Sequence, residues 1–192
     1  MTAEALDQQP ATRSRKLSPF LKWGLIALVQ LTLIALPLIG RLDVQISGKE
    51  VTLALVPVDP RDLLRGDYVI INLAIARVSI DLPGANEVKE GDRVYVRLAP
   101  GTDGVMRAAS VDKAPDASGT AAMAGTVRSV GGSDIRIDYG IDAFFLPEGD
   151  GLIIEDLDTE RVNLVVAVTE DGRSLPLRLL VDGKPFKNDA AF

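Results

Sequence analysis

Asp59, Arg61, Asp62, Arg65 and Asp67 crowd into one short polar stretch, and two further carboxylates, Glu148 and Glu155, stand in an acidic segment far downstream. Paired carboxylates can divide the work of general acid and general base when their surroundings pull their proton affinities apart. Arginines at this spacing can instead hold an anionic headgroup or a peptide terminus through paired N–H donors. The same residues also have a purely structural use. Asp59 is placed to cap a helical turn begun by Pro60, whose fixed φ and missing N–H suit the first helical position. Asp62 supplies a reduced capping box and an i,i+3 partner for Arg65. Gly66 can close the turn in a left-handed conformation, and Asp67 then answers Arg61 or Arg65 at the corner. Tyr68 brings a ring for a core or its rim and a hydroxyl within reach of a carboxylate. Glu148-Gly149 reads as a turn. The structural use needs fewer assumptions, and both remain open at this point.

Composition narrows the chemistry further. The 192 residues contain no histidine and no cysteine. Disulfides, thiolate nucleophiles, imidazole bases and most zinc or iron sites are thereby excluded, so no catalytic residue, metal site or cofactor is expected. A net charge of −6 argues against a nucleic-acid surface, which needs clustered Lys and Arg. The approach to Gly66-Asp67 is similar in layout to the box of membrane-bound signal peptidases, where a serine nucleophile precedes a Gly-Asp strand start. Here the nucleophile position falls at Val58, and no serine lies between Ser47 and Ser79. Peptidase chemistry fails on that requirement.

These residues must be positioned by two kinds of element. Residues 1–19 are polar and read as a disordered cytoplasmic tail. From Trp23 to Gly40 the chain is apolar and uncharged, relieved only by Gln30 and Thr32, which predicts a transmembrane signal anchor over residues 20–40. Lys22 can snorkel and Trp23 sits where an interfacial aromatic belongs. Arg13, Arg15, Lys16 and Lys22 precede the span and Arg41 alone follows closely, so the positive-inside bias puts the N-terminus in the cytoplasm and residues 41–192 outside the inner membrane. A cleavage site for signal peptidase would want small residues, and Leu38-Ile39-Gly40 is a poor one.

Beyond the span the apolar period falls to two. Val44 and Ile46 alternate with polar residues and predict a first strand, with Val51, Leu53 and Leu55 in the next. Val69, Ile71, Leu73 and Ile75 share one parity, and Val78 and Ile80 take the other, which predicts one long strand with a bulge or bend near Ala76. Hairpins follow: Val94 to Val111 around Pro100–Gly104, a pair around a two-residue Gly131-Gly132 turn, and Val162 to Val181 around Asp171-Gly172. Pro176 marks the last strand as an edge or as leaving its N–H side unpaired. Residues 112–122 read as a mobile loop, and Glu148 to Asp158 as a short acidic helix. About ten strands and no long helix after the anchor predict an all-β domain, barrel- or sandwich-like. Similar hairpins around Asp-Gly admit two small lobes, residues 43–111 and 123–182.

Gly66-Asp67-Tyr68, preceded by Pro57, Asp59-Pro60-Arg61 and Leu64-Arg65, resembles the signature of the GDYXXLXY family of bacterial membrane-anchored proteins. Tyr139, Ile141, Phe145-Leu146-Pro147-Glu148-Gly149 and Glu155 form a second matching patch, and with the anchor the resemblance covers most of residues 20–182. Ile71 and Leu73 stand where the family name has Leu and Tyr, which keeps the positions apolar and removes a phenol. The family has no established activity. The resemblance implies a protein partner among multi-pass membrane proteins, with the lipid bilayer as the other partner. Lacking a complete nucleophile, base or metal set, the chain is expected to be a binding or accessory module in the bacterial envelope rather than an enzyme. The alternative is a carboxylate-based hydrolase or a small-ligand binder acting on cell-envelope material.

Overall fold

The computed structural model describes residues 18–56, 68–115, 119–146, 154 and 157–186. The chain divides into two compact units, Met1–Ile39 and Gly40–Phe192. One helix, α1 (Pro19–Ser47, 29 residues), supplies the described part of the first and the opening turns of the second. At 1.5 Å per residue it is about 43 Å long. The Ser18 hydroxyl accepts the Leu21 N–H at 3.3 Å as an N-terminal cap. Thr32, a polar residue in the apolar run, satisfies its hydroxyl on the Leu28 carbonyl at 2.8 Å. Phe20, Trp23, Leu31 and Ile34 all stand exposed, so the helix is apolar around its circumference and is long and apolar enough to cross a membrane.

The strand expected at Val44 and Ile46 is absent; these residues form the last turn of α1. Four residues of alternation fit either period, and the helix running in from Ile39 decides between them. Val44 is buried while Ile46 is 82% exposed, so one face alone docks. The Ser47 hydroxyl donates to the Asp43 carbonyl at 2.6 Å, and the Gly48 N–H donates to the Val44 carbonyl at 2.9 Å. A Cβ on Gly48 would lie 2.4 Å from that carbonyl oxygen and 2.9 Å from the Ala167 methyl, so glycine is required where helix turns into sheet.

The second unit holds eleven strands among the described residues. In chain order these are β1 (Lys49–Ala54), β2 (Tyr68–Ile70), β3 (Arg77–Ser79), β4 (Arg93–Pro100), β5 (Met106–Asp112) and β6 (Ala122–Val130). β7 (Asp134–Asp138), β8 (Ala143–Phe145), β9 (Val162–Val168), β10 (Ser174–Val181) and β11 (Lys184–Pro185) complete them. Nine form one sheet in the order β11-β10-β9-β1-β5-β4-β6-β7-β3, and β2 pairs with β8 apart from it. All pairings are antiparallel except β1 with β5. The all-β expectation holds. The option of two lobes does not, because β6 pairs with β4, β7 with β3, and β1 lies between β9 and β5. Strands from before and after the 112–122 loop thus alternate within one sheet.

A single core accounts for this. Val94, Val96 and Leu98 of β4, Leu53 of β1, Ile135 of β7, Leu164 and Val166 of β9 and Leu179 of β10 belong to one buried cluster. A sheet this wide brings both ends to one cluster only by curling, and bulges between Arg97 and Leu98, Val127 and Ser129, and Pro176 and Arg178 supply local bends. The β4–β5 and β9–β10 hairpins form where alternation placed them. Residues 131–133, rather than two glycines alone, connect β6 to β7. At Pro176 the strand pairs only with β9, since β11 reaches no further than Leu180 and Val181.

The long strand expected from Val69 to Ile80 is broken. β2 ends at Ile70, Leu73 bridges to Leu55, Ala74–Ala76 form a 3₁₀ turn, and β3 begins at Arg77. The bend near Ala76 is therefore real and sharper than a bulge, and it lets Ile71, Leu73, Ile75 and Val78 all point into the core despite their change of parity. Of the acidic segment from Glu148 to Asp158, only Ile154, Leu157 and Asp158 are described, and Ile154 is buried in the same core.

Candidate functional site

Asp59, Arg61, Asp62, Arg65, Gly66 and Asp67 lie outside the described residues, as do Glu148 and Glu155. The helical turn expected at Pro60 falls there too. Tyr68 is described through its backbone as the first residue of β2. What surrounds these positions is defined. β2 and β8 pair in the register Tyr68 with Phe145, Val69 with Phe144 and Ile70 with Ala143. The Ile71 N–H continues the ladder to the Asp142 carbonyl at 2.9 Å, and the Val56 N–H donates to the Asn72 carbonyl at 2.8 Å. The chain therefore enters β2 at the end of the ladder where it leaves β8. That end joins Gly66-Asp67 by peptide bonds on one strand to Leu146-Pro147 on the other. Two motif patches far apart in sequence are thus anchored to the two strands of one small ladder.

An open cavity of about 660 Å³ borders this ladder. Ile71, Leu73, Ile137 and Ile141 supply an apolar floor, and Arg77, Arg128, Arg136, Asp138 and Asp142 line it with charge. Tyr139, also lining it, is fixed by a 2.9 Å hydrogen bond from its hydroxyl to the Ile75 carbonyl. Burial pushes its phenol far above the ordinary tyrosine range, so it is neutral and unsuited to proton transfer near neutral pH. Gly125 makes room for this packing, since a Cβ there would meet Ile137 at 2.5 Å and the Tyr139 ring at 3.0 Å.

Of the carboxylates here, Asp138 is held ionised. The Gly140 N–H donates to Asp138 at 2.7 Å and the Arg128 Nε donates at 2.9 Å, and these bonds hold the Asp138 carboxyl below the usual carboxylate range. A general acid requires the opposite shift. Arg77 pairs with Asp134 at 3.1 Å on the outer face. No group of three or more metal-ligating side chains occurs among the described residues. The arrangement can bind charged and apolar groups side by side, and Asp138 is unsuited to act as its general acid.

Asn72, Arg77, Arg128, Arg136 and Asp142 attracted no attention as site residues in the sequence. Arg77 and Arg136 alternate with apolar residues and read as a solvated strand face. Their meeting depends on the pairing of β3 with β7 across more than fifty residues, which alternation does not reveal.

An all-β domain preceded by one apolar helix, with a separate two-stranded ladder carrying its motif, defines the class. The family model of the GDYXXLXY protein matches residues 30–179, and the chain belongs to that family. No curated protein and no solved structure matches it.

Proposed function

We propose that this is a membrane-anchored, extracytoplasmic binding or accessory module that works with a membrane protein partner. The apolar helix α1 serves as a signal anchor in the inner membrane, with the basic residues before it in the cytoplasm and the β domain outside. The observation that carries the reading is the open cavity with an apolar floor and a charged rim, lined together by Ile71 and Leu73 of the first family patch and Tyr139 and Ile141 of the second. Such a surface suits a partner segment carrying both apolar and charged side chains. Hydrolysis by paired carboxylates gains no support from the cavity, because Asp138 is held ionised by Gly140 and Arg128.

Purification of the full-length protein in mild detergent, followed by identification of what co-elutes, tests this. A membrane protein should co-elute with the wild type and be lost with Asn72→Trp, which places a bulky ring at an exposed position on the cavity wall. The melting temperature of that variant should match the wild type. Retained co-elution would remove the cavity from the interface, and a small molecule in place of a protein would favour a ligand binder. Reporter fusions at the C-terminus test the topology: an inactive phosphatase fusion beside an active cytoplasmic reporter would reverse the orientation.

A further inference from the structure

We propose that Arg77 and Arg136 form a binding site for a phosphate-type oxyanion on the outer face of β3, β7 and β6. The two are register partners in the antiparallel β3–β7 pair, so their side chains leave the same face directly opposite one another. Like charges in that relation repel and weaken a ladder. Arg77 offsets its charge with Asp134 at 3.1 Å, and Arg128 takes Asp138, the other carboxylate flanking Arg136 on its strand. Arg136 has no hydrogen-bond or ion-pair partner among the described residues, and its side chain is exposed. Three arginines and two aspartates leave one cation in surplus, on a chain whose net charge is −6.

The surroundings suit a tetrahedral anion. Arg77 and Arg136 line an open cavity of about 610 Å³ together with Ser129, Gly131, Ser133 and Asp134. Ser129 is the register partner of Arg136 on its other side, so one row across three strands reads Arg77, Arg136, Ser129. Guanidinium forks donate in a plane and match pairs of anionic oxygens, and serine hydroxyls can donate to the remaining ones. A carboxylate has two oxygens and is satisfied by one fork, whereas a phosphate presents enough for both. Asp134 opposes an anion but is already engaged by the Nε of Arg77, which leaves the terminal nitrogens of that fork to donate outward. The phosphate can belong to a lipid headgroup or to a soluble molecule.

The site shares Arg77 and Arg136 with the cavity proposed above to meet a partner, but Asn72 lines only that cavity, so Asn72→Trp should leave phosphate binding intact. The full-length protein in a neutral maltoside detergent should be melted with inorganic phosphate, with chloride at matched ionic strength, and with a short-chain phosphatidic acid. Phosphate should raise the melting temperature, by about 3–6 °C at tenfold the dissociation constant and logarithmically beyond it, and chloride should not. Arg136→Gln should abolish that rise while leaving the unliganded protein at least as stable as the wild type, because a repulsive neighbour is removed. Arg93→Gln, an exposed arginine on β4 two strands from β7, should retain the rise. A response to phosphatidic acid alone assigns the site to lipid headgroups, and a response to both admits soluble phosphates. A wild type indifferent to both anions, or an Arg136→Gln variant that keeps the response or melts well below the wild type without ligand, overturns the proposal.

Discussion

The Tyr139 hydroxyl donates a 2.9 Å hydrogen bond to the Ile75 carbonyl, joining the end of β7 to the 3₁₀ turn that redirects the chain between β2 and β3. Tyr139→Phe keeps the ring and leaves that carbonyl without its donor. The expected loss is about 1–3 kcal/mol of stability, seen as a lower melting temperature. The pH dependence follows from burial, which raises the phenol above its unfolded value near 10.0. Its contribution is fully present below pH 10 and declines as pH rises above that value, where the unfolded chain ionises first. Absorbance titration should show Tyr139 ionising only with alkaline unfolding, and Tyr139→Phe should flatten the alkaline limb of stability.

Asp138 gives the corresponding acid limb. Its carboxyl is depressed, first by the Gly140 N–H and then by Arg128, so its contribution is present above the ordinary value of 3.8 and is lost as pH falls through the lower folded value. Asp138→Asn should lower stability at neutral pH and reduce its fall between about pH 5 and pH 2. Melts across that range for both proteins check this. Parallel curves would mean that the two bonds to Asp138 contribute nothing in solution.

Two glycines with the same backbone sign should respond very differently to alanine. Gly84 has φ +79° and a Cβ there would lie 1.9 Å from the Val111 carbonyl oxygen, whereas Gly104 has φ +78° and open space around it. Gly104→Ala should cost about 1 kcal/mol through backbone strain alone. Gly84→Ala should cost at least about 3 kcal/mol, because the Val111 N–H is held by the Pro83 carbonyl at 2.9 Å and the strand cannot retreat without breaking that bond. Equal losses in chemical denaturation would show that the β5 backbone yields.

Alternation read well wherever a strand has one buried face and a local hairpin partner, as with Val94, Val96 and Leu98 against β5. It failed at Val44, where four residues could not separate the period of a strand from that of a helix already under way. At Ile71 to Val78 it located the change of direction near Ala76 but not its form, because a 3₁₀ turn and a bulge shift parity alike. The Arg77–Arg136 neighbourhood was unreadable in principle, since it arises from a long-range pairing that neither arginine specifies. The motif patches were found as separate stretches, and only the ladder from Tyr68 to Phe145 places their ends together.

The motif charges themselves make the last prediction. If Asp59, Arg65 and Asp67 lock the corner that leads into β2, removing one partner leaves another unpaired. Asp67→Asn and Arg65→Met should then each destabilise the full-length protein, by about 1 kcal/mol at a wet site and up to about 3–5 kcal/mol at a dry one. Gly66→Val should be worse, since a β-branched residue resists positive φ. A binding role predicts the reverse pattern. Charge variants would keep or raise the melting temperature, while co-elution of the membrane protein would disappear. Melting and co-elution measured on the same preparations separate the two, and charge variants that melt with the wild type would transfer the cluster from the corner to the interface.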